Sequence, residues 1–149
     1  MINPYVQANA SERDHLAALA SRLTEAELSQ SLAAGWTVSG VLAHLAFWDL
    51  RALTLLRKWE REGIGPSPID TDIVNEATRE LCNAIAPRVA AQLALSAASA
   101  IDEAISHLDA PMLAAVETGG TTVHLERATH RRLHLGEIER ALTGHKSAP

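Results

Sequence analysis

Apolar residues along this chain recur at three- and four-residue steps, and no Val- or Ile-rich stretch alternates with polar residues. The first period is that of an α-helix; the second would mark a strand. A first helix is expected from Ser11, where Ser-Glu-Arg-Asp offers a cap, with Leu16, Leu19, Ala20 and Leu23 on one face. Thr24-Glu-Ala-Glu27 reads as a capping box and opens a short helix to about Leu32, which Ala34-Gly35 breaks. Thr37 then caps a long helix from Val38 to about Arg61, striped by Val38, Val41, Leu45, Trp48, Ala52, Leu55 and Trp59. Gly63, Gly65, Pro66 and Pro68 end it. Asp70 or Thr71 caps the next helix, to about Ala84. Pro87 leads into another, from Arg88 to about Leu108. Between Asp109 and Thr122, which hold Pro111 and Gly119-Gly120, the pattern supports only a helical turn at Met112 to Val116. A brief extended piece follows at Thr121 to Leu125. A final helix is expected from Leu125 to Leu142, with a frayed tail from Thr143 to Pro149.

Composition agrees with the periodicity. Alanine is abundant, and there are only one Phe, one Tyr and three Trp. Ala, Leu, Glu and Arg lose little side-chain freedom on a helix. The fold class is all-α, expected as a four-helix bundle with an additional short helix and at least one longer crossover. The 149 residues make a single domain, 1–149. A net charge of −5 and the lack of a dense basic cluster exclude a phosphate-binding surface, so no nucleic-acid partner is expected. Cys82 is the one cysteine, which rules out an internal disulfide and a thiolate-rich metal site. Met1 to Ala10 lacks the pattern of a signal peptide, and charges interrupt every apolar run, so a cytoplasmic protein without a membrane partner is expected. A homodimer is compatible with the apolar helix faces.

Candidate chemistry lies in the histidines. His130-Arg-Arg-Leu-His134 places two imidazoles four residues apart, one above the other on a single helical face. His44 sits in the apolar run Val41-Leu-Ala-His-Leu-Ala-Phe-Trp48, on a helix that faces the core. Taken singly, each has an ordinary explanation: exposed histidines on the last helix, and a hydrogen-bonded core histidine on the other. One ion held by His44, His130 and His134 explains all three together. Imidazole suits Zn, Ni, Fe or Cu, and three ligands leave a position open for water or substrate. Arg131 stands where a zinc protease of the His-Glu-x-x-His type carries its general base, so that class is excluded. His15, His107, His124 and His145 read as surface residues.

The segment Trp36-Thr-Val-Ser-Gly-Val-Leu-Ala-His44-Leu-Ala-Phe-Trp-Asp49, with His130-Arg-Arg-Leu-His134-Leu-Gly136-Glu-Ile138, resembles the DinB-like superfamily, which includes the mycothiol-dependent maleylpyruvate isomerases. The resemblance implies an up-down-down-up four-helix bundle and a divalent metal, Zn or Ni, on His44, His130 and His134. It also implies a low-molecular-weight thiol such as mycothiol or bacillithiol as cosubstrate of a transferase or isomerase acting on a small molecule. A metal with an open position binds a thiol as thiolate and presents a nucleophile at neutral pH. The same position can activate water, so a metal-dependent hydrolase is the alternative. A non-catalytic metal-binding bundle is the third reading. Beyond the ligands, Glu126 and Glu137 are candidates to orient an imidazole or act as a base, or are solvated charges. Trp48 is a pocket wall or plain packing. Arg127 and Arg131 are anion-holding or solvated. Asp49 reads as a salt-bridge or capping residue, Asn75 as an amide near the site, and Cys82 as a small core residue.

Overall fold

The long apolar stripe becomes the central helix of a bundle. The computed structural model describes residues 2–146. Among them are seven helices: α1 (Val6–Arg22), α2 (Glu25–Leu28), α3 (Val38–Glu62), α4 (Thr71–Ala84), α5 (Pro87–Ser106), α6 (Ala110–Thr118) and α7 (Ala128–Lys146). Four of them, α1, α3, α5 and α7, form the bundle. The capping signals explain most boundaries. Thr24 and Glu27 close a reciprocal capping box on α2; the side chains of Thr37, Asp70 and Asp109 accept backbone N–H groups at the starts of α3, α4 and α6.

Cross-bundle contacts fix the helix directions. Arg88, at the start of α5, donates to the carbonyls of Ala20 and Leu23 at the end of α1, so α1 and α5 are antiparallel. Asn9 meets Ala128 near the starts of α1 and α7, and Arg22 pairs with Glu139 farther along both, so these two are parallel. Ala43 packs with Ala90, and Leu56 with Ile105, so α3 runs parallel to α5. The order is up-down-down-up. The parallel pair α3 and α5 needs a return connection, and α4, antiparallel to α3, supplies it. Its Asn83 meets Thr37, and its Asn75 meets Trp48. Gly40 permits this close seating, since a Cβ there would lie 2.0 Å from Asn83 Oδ1.

Among the described residues the interior has three apolar clusters, one around Leu16, Leu42, Leu45 and Ile138, a second around Leu53, Leu56, Ile101 and Ile105, and a small third of Ala43, Cys82 and Ala90. A buried polar layer of Asn9, Asp49, Asp102, Arg127 and Arg131 is hydrogen-bonded across the helices. By length and composition α3 could cross a membrane, but 67% of its most apolar window is buried inside the bundle, as befits the core helix.

Six expectations are corrected. α1 begins at Val6 rather than Ser11, because Asn3 caps the preceding turn at Tyr5 N and ties it to the Ile105 carbonyl. α2 stops at Leu28, short of Leu32. The segment read as one helical turn is the full helix α6, with Asp109 as its cap. α7 starts at Ala128 rather than Leu125: buried Asn9 accepts from Ala128 N and donates to the Leu125 carbonyl, so a side chain from another helix caps it. Thr121 to Leu125 forms no strand. The expected tail is helical as far as Lys146, and 147–149 lie outside the described residues.

Candidate metal centre

Helix α3 brings His44 to face His130 and His134 on α7. The three ring centroids are 4.8–5.2 Å apart. His44 Nε2 and His130 Nε2 are separated by 3.2 Å. One ring nitrogen from each of the three lies within 4.8 Å of the others. Ligand atoms of a tetrahedral zinc or nickel ion, about 2.0–2.1 Å from the metal, are separated by roughly 3.3–3.4 Å, and the His44–His130 edge of 3.2 Å is close to that length.

Electrostatics suit the same use. Burial, reinforced by His134, pushes the His44 pKa down to about 4. Burial first, then His134, Arg127, His44 and Arg131, pushes His130 down to about 2. Both rings are therefore neutral near pH 7, the form that ligates a metal. His134 Nδ1 donates to the Glu137 carboxylate at 2.8 Å, which fixes its tautomer and turns Nε2, with its lone pair, away from that partner. His44 Nδ1 is buried without a partner. A ring whose only engaged nitrogen points at two other imidazoles is poorly explained as a hydrogen-bonded core histidine, and the donor set fits a divalent transition metal.

The cluster opens into a cleft of about 1700 Å³. Trp36 and Trp48 flank His44 edge-on, at 5.3 and 6.4 Å between centroids. Trp48 Nε1 donates to Asn75 Oδ1 at 3.0 Å, which gives the polar end of each a partner and ties α4 to the cleft wall. Glu126 and Arg127 also line the cleft. Glu126 accepts from Thr129 and contacts none of the three histidines; Glu137 does.

Two readings of charged residues change. Neither Arg127 nor Arg131 is a solvated charge. Arg131 is 0% exposed; it bonds Asp102 at 2.8 and 2.9 Å, Asp49 at 3.1 Å, and the carbonyls of Asn9 and Ala98. Burial alone would lower its pKa, but Asp102 and Asp49 more than offset that and raise it. Arg127 Nε donates to Asp49 at 2.8 Å, so it touches the cleft with its charge already matched. Asp49 is the salt-bridge residue anticipated. Cys82 is a buried core residue, with burial raising its thiol pKa. His15 bridges Glu12 and Glu139, while His107 and His124 are exposed; the side chain of His145 lies outside the described residues.

Sequence reasoning missed Trp36, Asn9 and Asp102 as contributors. Trp36 opens the segment that carries the resemblance and was the one with a signal. Asp102 sits in an alanine-rich stretch where a lone acid reads as a solvated charge.

No curated protein and no solved structure matches the chain. Residues 10–143 match the family described as the mycothiol maleylpyruvate isomerase N-terminal domain, within the DinB-like superfamily. With that match spanning nearly the whole bundle and a three-histidine cluster at its centre, the chain belongs to the mycothiol maleylpyruvate isomerase N-terminal domain family.

Proposed function

We propose that the protein is a cytoplasmic metalloenzyme in which His44, His130 and His134 hold one divalent transition metal, zinc or nickel, and a low-molecular-weight thiol is the cosubstrate of a transfer or isomerisation on a small molecule. The carrying observation is the convergence of three imidazoles, two of them desolvated enough to stay neutral, with one ring nitrogen from each within 4.8 Å of the others. The metal would supply an open coordination position that holds a thiol as thiolate. The chain's own residues do the rest. Glu137 orients His134, the paired tryptophans wall the ring of His44 from water, and the cationic Arg127 and Arg131 disfavour protonation of His130. The thiol is supported by the family, whose description names mycothiol.

The test begins with elemental analysis of the purified protein beside His44→Ala and His130→Ala. About one metal per chain, lost in both variants, is the expected result. No metal in the wild type after reloading with zinc or nickel would sink the proposal. The Co(II)-loaded protein should then show a thiolate-to-metal absorption band on addition of mycothiol. A protein that instead turns over simple esters without thiol is a hydrolase on the same centre.

A further inference from the structure

Two loops at one end of the cleft meet at a single nitrogen. One joins α3 to α4 and contains Gly65-Pro-Ser-Pro68; the other leads from α6 toward α7 and contains Gly119-Gly-Thr-Thr122. Arg51 of α3 lines the cleft there, together with Ile69, Gly120, Thr121 and Thr122. It follows His44 by seven residues, about 10.5 Å along the helix. Arg51 Nη2 donates to Ser67 Oγ at 2.9 Å and to the Ser67 carbonyl at 3.3 Å in the first loop, and to Thr122 Oγ1 at 2.9 Å in the second. Thr122 Oγ1 donates in turn to the Ser67 carbonyl at 2.8 Å.

Little else holds the two tips. Among the described residues, every hydrogen bond of residues 64–69 runs through Ser67. Of residues 120–122, Thr121 bonds back to the Val116 carbonyl of α6, and Thr122 alone reaches the other loop. The bases, by contrast, are anchored, since Ile64, Val123 and Leu125 pack in the apolar cluster of Leu53 and Leu56. Each tip adjoins a glycine that packing does not require. A Cβ on Gly65 would meet nothing within 4 Å, and Gly120, also in open space, holds φ +62°. Pro66 and Pro68 stiffen the short piece that presents Ser67.

Charge does not lock this junction. The hydrogen bonds of Arg51 go to neutral oxygens, whereas Arg127 and Arg131 are fastened by Asp49 and Asp102. Burial first, then the charge of Arg127, works against the charged guanidinium and lowers its pKa. Parting of the loops would rehydrate that cation and offset part of the hydrogen bonding given up.

We infer that Arg51 is the latch of a two-part gate. The tips at 66–68 and 120–122 part and close over the end of the cleft beside Trp48, whose ring centre lies 5.8 Å from the Arg51 guanidinium carbon, and ligand enters and leaves there.

The experiment is acrylamide quenching of tryptophan emission in a Trp36→Phe background. Trp48 then reports the gate, because the one other tryptophan, Trp59, is buried. Arg51→Met should raise the quenching constant at least about twofold, as loss of the latch shifts the population toward the open form. Ser67→Cys combined with Thr122→Cys, joined as a disulfide, should quench less than the same variant after reduction; Cys82 is buried and does not compete. The oxidised and reduced forms share one sequence, so their difference reports motion alone. Equal quenching of the two forms would mean that the loops do not part, and would overturn the inference. Unchanged quenching in Arg51→Met would overturn Arg51 as the latch. If Arg51→Met does not fold, the disulfide pair decides; if the bridge does not form, Arg51→Met decides. The histidines take no part in the readout, so a failed elemental analysis would remove the metal centre and leave the gate standing.

Discussion

Two pairs of residues, each four apart, lie side by side at the start of α7: His130 with His134, and Arg127, immediately before the helix, with Arg131. The histidines face a cleft and the arginines face the interior, although His130 and Arg131 are neighbours in the chain. About 100° of helical rotation separates them. The arginine pair is the more deeply buried, with Arg131 at 0% exposure, and the histidine pair is the more accessible. This inverts what hydropathy alone would assign. A buried charge is tolerated when its partners are equally buried and well aligned, and Asp49 on α3 and Asp102 on α5 meet that condition. An imidazole with a free lone pair needs no counter-charge, but it does need access if it is to serve a ligand. One helix therefore carries the bundle's fastening and its candidate chemistry on adjacent faces.

The fastening is also what sets the site. Arg131 touches all three other bundle helices, through Asn9 on α1, Asp49 on α3, and Ala98 and Asp102 on α5. It fixes the register of α7 against α3, and with it the approach of His130 to His44. The largest effect is expected here. Arg131→Met leaves Asp49 with Arg127 alone and Asp102 with Arg13 alone, strips the buried layer of the cation that links them, and should cost about 3–5 kcal/mol of unfolding free energy. Chemical denaturation measures it; a loss under about 1 kcal/mol would show that the layer is not holding the bundle together. His44→Ala in chelated protein, by contrast, removes a ring with an orphaned Nδ1. It should cost less than Arg131→Met while abolishing metal binding.

Next in size is the response to acid. His44 and His130 have folded pKa values of about 4 and about 2, below the roughly 6.5 of an unfolded histidine. Between those values the unfolded chain binds more protons, so stability is full above about pH 6.5 and falls as the pH drops toward 4. The slope is up to about 1.4 kcal/mol per pH unit for each ring. His15 works in the opposite sense, since Glu12 and Glu139 outweigh its burial and raise its pKa. The measurement is therefore the difference between wild type and His130→Ala, both metal-free, at pH 7 and pH 5. The wild type should lose more on acidification; parallel losses would show that His130 is not held neutral by its surroundings.

The smallest effect should come from the partner of His134. Glu137→Gln keeps a hydrogen-bonding group beside Nδ1 but removes its charge, and should weaken zinc binding by about tenfold, the lower end for such partners because Glu137 is partly solvated. Competition with a chromophoric chelator reads this directly. Unchanged affinity would reduce the Glu137 contact to surface pairing.

Much of the fold was legible in sequence because its signals are local. Thr37, Asp70 and the Thr24–Glu27 box act within one turn of themselves, and the stripe from Val38 to Trp59 states its period over six turns. The pair His130 and His134 was legible for the same reason, since helical spacing alone aligns them. The starts of α1 and α7 were misplaced because their stops are tertiary: Asn3 reaches Ile105, and Asn9 reaches Ala128.

What the sequence determined by itself was therefore periodicity, capping and the inventory of donors, all set by interactions a few residues long. Only the tertiary structure decided which polar side chains go inside. Arg131 is buried because Asp49 and Asp102, distant in sequence, arrive at the same point, and no local pattern encodes that meeting. The cost of desolvating a charge depends on its partners, and partners are brought together only by the fold.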